Sequence, residues 1–278
     1  MGKHGREWTL WYALEAVEGT PKANTQYKAL AHHSTLDWGD SPGPNPVPLP
    51  GSPDYSGFGK GVSNPVVRAT FNPSGANGAQ FIEDFASSDS SFTLIAKTGS
   101  VFQVFAGCKV KNINPQCSKY PNHTVLEVTA EIWAHAMTDT EPATVTYESI
   151  PTSHVNYTDC VVKLDAGAAA TTTLLDWHAF SFTIDNTLHR EPKNDGTTDK
   201  ITRGTRDAKI QITRPVDTST KTEMDASKNA TAYSASVAFA ASLFTFTSGV
   251  FEDVAVSVPR ADITNKRITL FAARLAIA

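Results

Sequence analysis

The stretch "WHAFSFTIDNTLHREPKNDG", Trp177–Gly196, starts as a strand and turns into something else. His178, Phe180, Phe182 and Ile184 alternate with Ala179, Ser181 and Thr183, the period of two that puts successive side chains on opposite faces of a strand. From Asp185 onward the chain becomes polar and charged: Asp185, Asn186, His189, Arg190, Glu191, Lys193 and Asp195. Such a strand either carries catalytic groups to a site or runs out to meet another copy of the chain.

The charged part continues past the quoted stretch. Between His189 and Lys209 six basic residues (Arg190, Lys193, Lys200, Arg203, Arg206, Lys209) face four acids (Glu191, Asp195, Asp199, Asp207). This segment contains the turn signal Asp195-Gly196 and separates two strand patterns, so residues 186–208 are read as a long loop. Mixed charge of this kind suits the rim of a subunit contact, where it sets register. Excising Arg190–Arg206 is accordingly expected to leave a folded monomer that no longer assembles.

Working outward, most of the chain reads as strands. In "HTVLEVTAEIWAHAM", Leu126, Val128, Ala130 and Ile132 alternate with Glu127, Thr129 and Glu131, a strand with one wet face. "SSFTLIAKTG" and "SVFQVFAGCKVKNI" form a hairpin pattern with Gly99 at the turn. "CVVKLDAG", "AKIQITR", "YSASVAFAASLFTFTSG", "FEDVAVSVP" and "NKRITLFAARLAI" follow, the last with Ile268, Leu270 and Ala272 on one side and Phe271, Leu275 and Ile277 on the other. One helix is expected, over "ANGAQFIEDFASSD", with Asn77 as its cap and Phe81, Ile82 and Phe85 on one face. The fold class expected is therefore mainly β, an antiparallel β-sandwich or barrel with one short flanking α-helix.

The first 65 residues read differently. "REWTLWYALEAVEG" is a strand or a short helical turn carrying Trp8 and Trp11, and ten of the twenty residues from Ser41 to Lys60 are Pro or Gly. Proline at that density forbids helix and interior strand, which makes residues 1–65 an N-terminal arm with an extended segment and 66–278 the β domain. The aromatic segment either packs back on its own domain or lies on a neighbour.

Composition narrows the chemistry. With 24 Lys and Arg against 28 Asp and Glu the chain carries a formal charge of −4, too acidic for a protein that grips nucleic acid. Three cysteines, Cys108, Cys117 and Cys160, have no metal-ligand spacing and are expected as thiols; a local Cys108–Cys117 bridge is the alternative. No apolar leader and no spanning run is seen, so insertion into a membrane is not expected. His135 and His178 sit in strand patterns, and no nucleophile or zinc motif is present. Glu127 and Glu131 lie on one strand face, and Asp185 is the sharpest acidic candidate, yet no catalytic partner is identifiable for it. No catalytic residue, metal ligand or cofactor is assigned. A carbohydrate-binding or glycoside-active sandwich using Trp133 or Trp177 with Asp185 remains the reading from another function class.

The order "SFTLIAKTG … VFAGCKVKNI … TVLEVTAEIWA … DWHAFSFTIDNTLHR … DAKIQITRP … FTFTSGVFEDVAVSVP … ITLFAARLAI" resembles the major tail tube proteins of long-tailed (siphovirus-like) phages and related archaeal tailed viruses. The resemblance spans element order from Val66 to Ala278 and leaves the Pro-rich segment 41–60 unmatched. It implies a virion structural protein rather than an enzyme. Six copies would form a ring, rings would stack into a hollow tube, and inner strands of all subunits would join in one barrel around the lumen. Implied partners are other copies of the chain, a tape measure protein, and tail terminator and tip proteins. DNA would pass through transiently, and the location implied is the virion tail, assembled in the host cytoplasm. The residues expected at subunit contacts are Trp8, Trp11, Asn186, His189, Arg190, Arg203 and Arg206. Another virion β-sandwich, such as a tail terminator, decoration or baseplate protein, is the nearest alternative.

Overall fold

The structure, a computed structural model, describes residues 8–40, 45–48, 55–59, 63–73, 75–86, 88–119, 124–193, 198–240, 242–257 and 264–277. The chain opens with β1 (Trp8–Leu14), β2 (Gln26–Gly39), the short β3 (Asn45–Pro48) and β4 (Tyr55–Gly59), and β5 (Val66–Pro73). Helix α1 (Gly75–Ala86) leads into the hairpin of β6 (Phe92–Thr98) and the long β7 (Val101–Ser118), then β8 (Glu127–Trp133), β9 (Ala136–Thr138) and β10 (Thr146–Tyr147). The second half runs through β11 (Val161–Ala166), β12 (Ala179–Pro192), β13 (Thr198–Pro215) and helix α2 (Thr220–Lys228). It ends with β14 (Tyr233–Phe239), β15 (Ser242–Ser257), β16 (Asn265–Ala272) and β17 (Arg274–Ile277). The chain is mainly β and overwhelmingly antiparallel, as expected; the pairing of β10 with β2 is parallel.

Two lobes share one strand. Strands β7, β6, β1, β2, β5 and β8 follow one another as antiparallel neighbours, and β8 pairs back onto β7, so the six close into a barrel. One edge of β7 is paired along its length, first by β9 at Val104–Ala106 and then by β8 at Lys109–Gln116. The other edge is divided: β6 takes Val101–Cys108 and β12 takes Asn112–Ser118. At that fork the sheet leaves the barrel and continues through β12, β13, β16 and the second half of β15. The first half of β15 pairs with β14 and β17, and β14 with β11, forming a second layer.

Period-two patterns explain these layers. On β8, Val128, Ala130 and Ile132 are buried, as are Val67, Ala69 and Phe71 on the neighbouring β5. On β12 the buried series runs Phe180, Phe182, Ile184, Asn186, Leu188, matched by Ala208, Ile210 and Ile212 on β13 and Ile268, Leu270 and Ala272 on β16. Phe182 meets Phe244 and Phe246 of the opposite layer at centroid distances of 4.9 and 5.5 Å. The two-sided apolar pattern at the C-terminus is a change of layer: β16 ends at Ala272, and after Ala273 β17 joins the other sheet.

Several expectations are corrected. Residues 186–208 are not a loop: β12 and β13 pair from Ala179↔Thr213 out to Pro192↔Thr198, and 194–197 lie outside the described residues. The apolar alternation simply carries on through Asn186 and Leu188, hidden in the sequence by the charged residues facing the other way. Residue 65 is not a boundary either, because β1 pairs with β2 and β6, and β2 with β5, inside the barrel. Of the Pro-rich segment, Asn45–Pro48 and Tyr55–Gly59 pair as a small separate hairpin; residues 41–44, 49–54 and 60 lie outside the described residues.

Among the described residues two helices flank the sheets rather than one. The first buries Phe81, Ile82 and Phe85 as expected, but it begins at Gly75, so Asn77 sits within its first turn and donates to the Glu148 carboxylate instead of capping. Helix α2 was not legible because it has no apolar stripe: its buried residues are Thr220, Glu223 and Ala226. The segment "YSASVAFAASLFTFTSG", read as one strand pattern, is the β14–β15 hairpin, which turns at Ala240 with φ of 52°.

Candidate functional site

The fork in β7 places the residues that the sequence singled out. The last pair between β12 and β7 is Asp185↔Asn112, after which β12 departs with its own partner β13. The Asn186 side chain fills the gap, its Nδ2 donating to the Val110 carbonyl at 2.9 Å and to the Ala86 carbonyl at the end of α1 at 3.3 Å. It therefore satisfies one strand carbonyl beside the fork and one terminal helix carbonyl. Asn186 is 1% exposed, so its assignment to a subunit contact is corrected. Asn186→Ala is expected to lower unfolding free energy by about 1–3 kcal/mol, the cost of leaving buried carbonyls unpaired. Urea denaturation measures it, and a change below about 0.5 kcal/mol would show that those carbonyls find other donors.

Beyond the fork the β12–β13 hairpin folds over its own barrel. Arg190 donates to the carbonyls of Ala134 at 2.9 Å and Pro65 at 2.7 Å, and its guanidinium lies 4.9 Å from the Trp133 ring. The Ile201 amide donates to Glu18 at 2.7 Å, the Thr198 hydroxyl to the Ser63 carbonyl at 3.2 Å, and His135 bonds the Thr198 carbonyl. Gly19 and Gly107, both at positive φ, make room for His135: a Cβ on Gly19 would run into its ring, and one on Gly107 into its Cβ. Excising 190–206 would thus remove buried Ile201 and the outer part of the β12–β13 ladder, from Asn186↔Arg206 to Pro192↔Thr198, so the deletion takes out paired strand and not a loop.

The other expected contact residues divide by exposure. Trp11 is buried within the chain, its indole donating to the Glu148 carbonyl at 3.0 Å and its ring 4.9 Å from Tyr147, so this assignment too is corrected. Trp8 is half-buried and packs edge-on against Trp38 at 5.1 Å. Arg206 donates to the Leu275 carbonyl at 3.0 Å, which ties β13 to β17. Burial pulls the guanidinium pKa values of Arg190, Arg203 and Arg206 below the usual arginine range; for Arg203 the neighbouring Arg206 charge adds to this while Asp89 opposes it. His189 is exposed, near the tip of the hairpin, where Lys193–Asp199 and Lys200–Glu191 form exposed ion pairs.

The acidic candidates are engaged with cations and amides. Asp185 pairs with Lys111 and accepts from Asn112 at 3.4 Å, within a recess of about 310 Å³ that Arg68 and Glu131 also line. Glu131 bonds Arg68 and the Trp133 indole, and Glu127 accepts from Gln116 at 2.7 Å. These are compensating pairs across a sheet surface, not two carboxyls poised around a bond. Neither tryptophan offers a sugar platform: Trp177 is 4% exposed with Lys119 over its ring, and Trp133 is covered by Arg190. Among the described residues no group of three or more His, Cys, Asp or Glu is placed to hold a metal ion, and no helix is long and apolar enough to cross a membrane.

Several large apolar side chains of the described residues are exposed. Leu175 is 85% exposed beside Val161 at the β11 edge, Leu243, Val250 and Val256 follow β15, and Val101 and Met137 lie at the β7–β9 end of the barrel. Strands β11 and β17 close the second layer at either side, the outer side of β11 carrying the bridge Lys163↔Thr173. Sequence periodicity could not find these places, because a strand pattern does not say which strand ends at an edge.

No protein-family model matches this sequence. No curated protein matches it. Among solved structures, a chain from the tail of an empty gene transfer agent (GTA) particle with C6 symmetry aligns over 44% of this chain and 98% of its own, at 12% identity and a TM-score of 0.38. A chain of the native GTA virion aligns over 44% and 98% at 14% identity and a TM-score of 0.33. A chain of the anti-feeding prophage cap, which terminates its tube, aligns over 47% and 95% at 13% identity and a TM-score of 0.36.

Proposed function

We propose that this chain is the major tail tube subunit of a tailed-virus particle, polymerising as stacked hexameric rings into a hollow tube through which the genome passes. The observation that carries the reading is the arrangement of the seven segments on which the resemblance rests. Each coincides with a strand or strand pair (β6, β7, β8, β12, β13, β15, β16 with β17), and β6-β7-β12-β13-β16-β15 are consecutive neighbours in one antiparallel surface. The segments the sequence order singled out are thus one physical unit.

Assembly chemistry is consistent with it. Edge strands with open backbone groups need a partner, and joining edges between subunits supplies one. Contacts between different patches, repeated along an axis, give open filaments instead of closed dimers. A formal charge of −4 suits a conduit for DNA, since a strongly basic lumen would hold the phosphates. In this reading the partners are further copies of the chain, a tape measure protein in the lumen, and terminator and tip proteins at the ends.

Electron microscopy and sedimentation of the purified chain across concentration and salt test the proposal. Six-fold rings that lengthen into tubes are expected. A protein that stays monomeric under all conditions overturns it, and rings that never lengthen would favour a terminator or baseplate role.

A further inference from the structure

The sheet that leaves the barrel has an outer face that is polar without being basic. It lies on the side away from the buried series of β12. There the register of β8, β7, β12, β13, β16 and the second half of β15 lines up Glu127, Gln116, Ser181, Gln211, Thr269 and Asp253 in one row. Within that row the Gln116 amide donates to Glu127 at 2.7 Å and the Gln211 amide to the Thr269 hydroxyl at 3.3 Å. The next row brings Thr129 opposite Asn114, whose amide donates to the Thr183 hydroxyl at 2.7 Å.

Each cation on this stretch of sheet has a carboxylate beside it. Arg68 meets Glu131 at 3.2 Å, Lys209 meets Glu252 at 2.8 Å, Arg267 meets Asp253 at 3.7 Å, and Lys111 pairs with Asp185. Glu127 and Asp207 add negative charge on the same side. The opposite side of the lobe differs. Helix α2 lies there, held from the buried side of β16 by Lys266, and its Lys221 and Lys228 are exposed and outside any ion pair among the described residues. Exposed Val161 and Leu175 also lie away from the polar face, at the β11 edge of the second layer.

We propose that this face, from β8 to β15, is the lumen wall, the surface past which a nucleic-acid duplex slides; this rests on the tube reading above. A phosphate backbone is gripped where uncompensated Lys and Arg release its counterions. On this face the positive charges are already neutralised by neighbouring carboxylates. A passing duplex therefore meets amides, hydroxyls and the water they hold. The side bearing Lys221 and Lys228 would retain it instead. The two sides of a two-layer lobe point in opposite directions, so a sheet turned inward puts α2 and those lysines on the exterior. Closure of such a wall is also provided for. Beyond Gly249, β15 pairs with β16 alone among the described residues, leaving an edge that a neighbouring copy can extend.

Cysteine labelling of assembled tubes tests this. Thr183→Cys places a thiol at the centre of the face and Lys221→Cys one on the opposite side, while the native Cys108, Cys117 and Cys160 are buried thiols and keep the background low. Thr129→Cys, at an exposed position of β8, repeats the measurement on the same face if Thr183→Cys fails to fold. Each variant is treated, before and after assembly, with a small maleimide and with a maleimide on a gold particle wider than the tube bore. Unassembled chains should take both reagents at both positions. On assembly the face cysteine should lose labelling by gold and keep labelling by the small reagent, while Lys221→Cys keeps both. Gold along the tubes at Thr183→Cys would put the face outside and overturn the proposal. Loss of both reagents there would put it between copies and overturn it equally. A chain that forms no tubes refutes the assembly reading itself, a result distinct from either.

Discussion

Lys266→Ala is expected to cost about 3–5 kcal/mol of unfolding free energy at pH 7, the range for removing one partner of a buried ion pair. Lys266 is 0% exposed; its Nζ reaches Asp217 Oδ1 at 2.7 Å, Ser219 Oγ at 2.8 Å and Glu223 Oε2 at 2.5 Å. Arg214, from the end of β13, pairs with Asp217 and reaches Asp176 at 3.4 Å and Glu223 at 3.8 Å. Two cations and two buried or half-buried carboxylates thus clip the start of α2 onto β13 and β16. Without the ammonium, Glu223 stays buried with only the distant Arg214 to balance it.

The loss should depend on pH in a defined direction. Burial alone would raise the Asp217 carboxyl, but hydrogen bonds from Lys266 and Ser219 and the charges of Arg214 and Lys266 outweigh it and hold the group well below the usual carboxylate range. A depressed folded-state value means that its stabilisation is complete above the unfolded carboxylate value, about 4, and disappears as pH falls through the folded one. The gap between wild type and Lys266→Ala should therefore start to narrow below about pH 4 and close only as pH falls through the depressed folded-state value. Urea titrations from pH 7 downward measure this, and a gap under about 1 kcal/mol at pH 7, or one that does not narrow in acid, would refute the account.

Phe182→Ala is expected to cost a similar amount, about 3–5 kcal/mol, because the ring has no room to be replaced by collapse. It is 1% exposed on β12 and lies among Phe239, Phe244 and Phe246 of the opposite layer. The cavity opens between the layers of the second lobe and leaves the closed barrel, with its own aromatic set of Tyr12, Phe81, Phe85 and Phe92, untouched. Hydrogen exchange should therefore accelerate at β14 and β15 before β1 and β2. Uniform acceleration through both lobes would show that their continuous core unfolds as one unit.

Much of the β architecture could be read directly. The period of two in β8, β16 and the inner parts of β12 and β13 and the Gly99 turn between β6 and β7 depend on neighbours in sequence, and they are where expected, while β12 and β13 run on through the residues read as a loop. The contact residues were much harder. Asn186 and Arg190 look like surface groups because they are polar and follow a strand, yet one fills the fork between β12 and β7 and the other anchors the hairpin to the barrel. Trp11 sits on a strand buried on both faces, one toward the barrel core and one beneath residues 145–150. Lys266 and Glu223 carry no signal, since a buried ion pair has the same composition as an exposed one.

By itself the sequence determined that this chain is an antiparallel β protein with a helix within 76–89, which the structure has at Gly75–Ala86, because alternation and turn residues act over a few positions. Tertiary structure alone decided that β7 is shared by two lobes and that the charged hairpin lies on its own barrel. Those outcomes depend on which strand pairs with which, and a strand's side-chain pattern is satisfied by any partner that buries the same face.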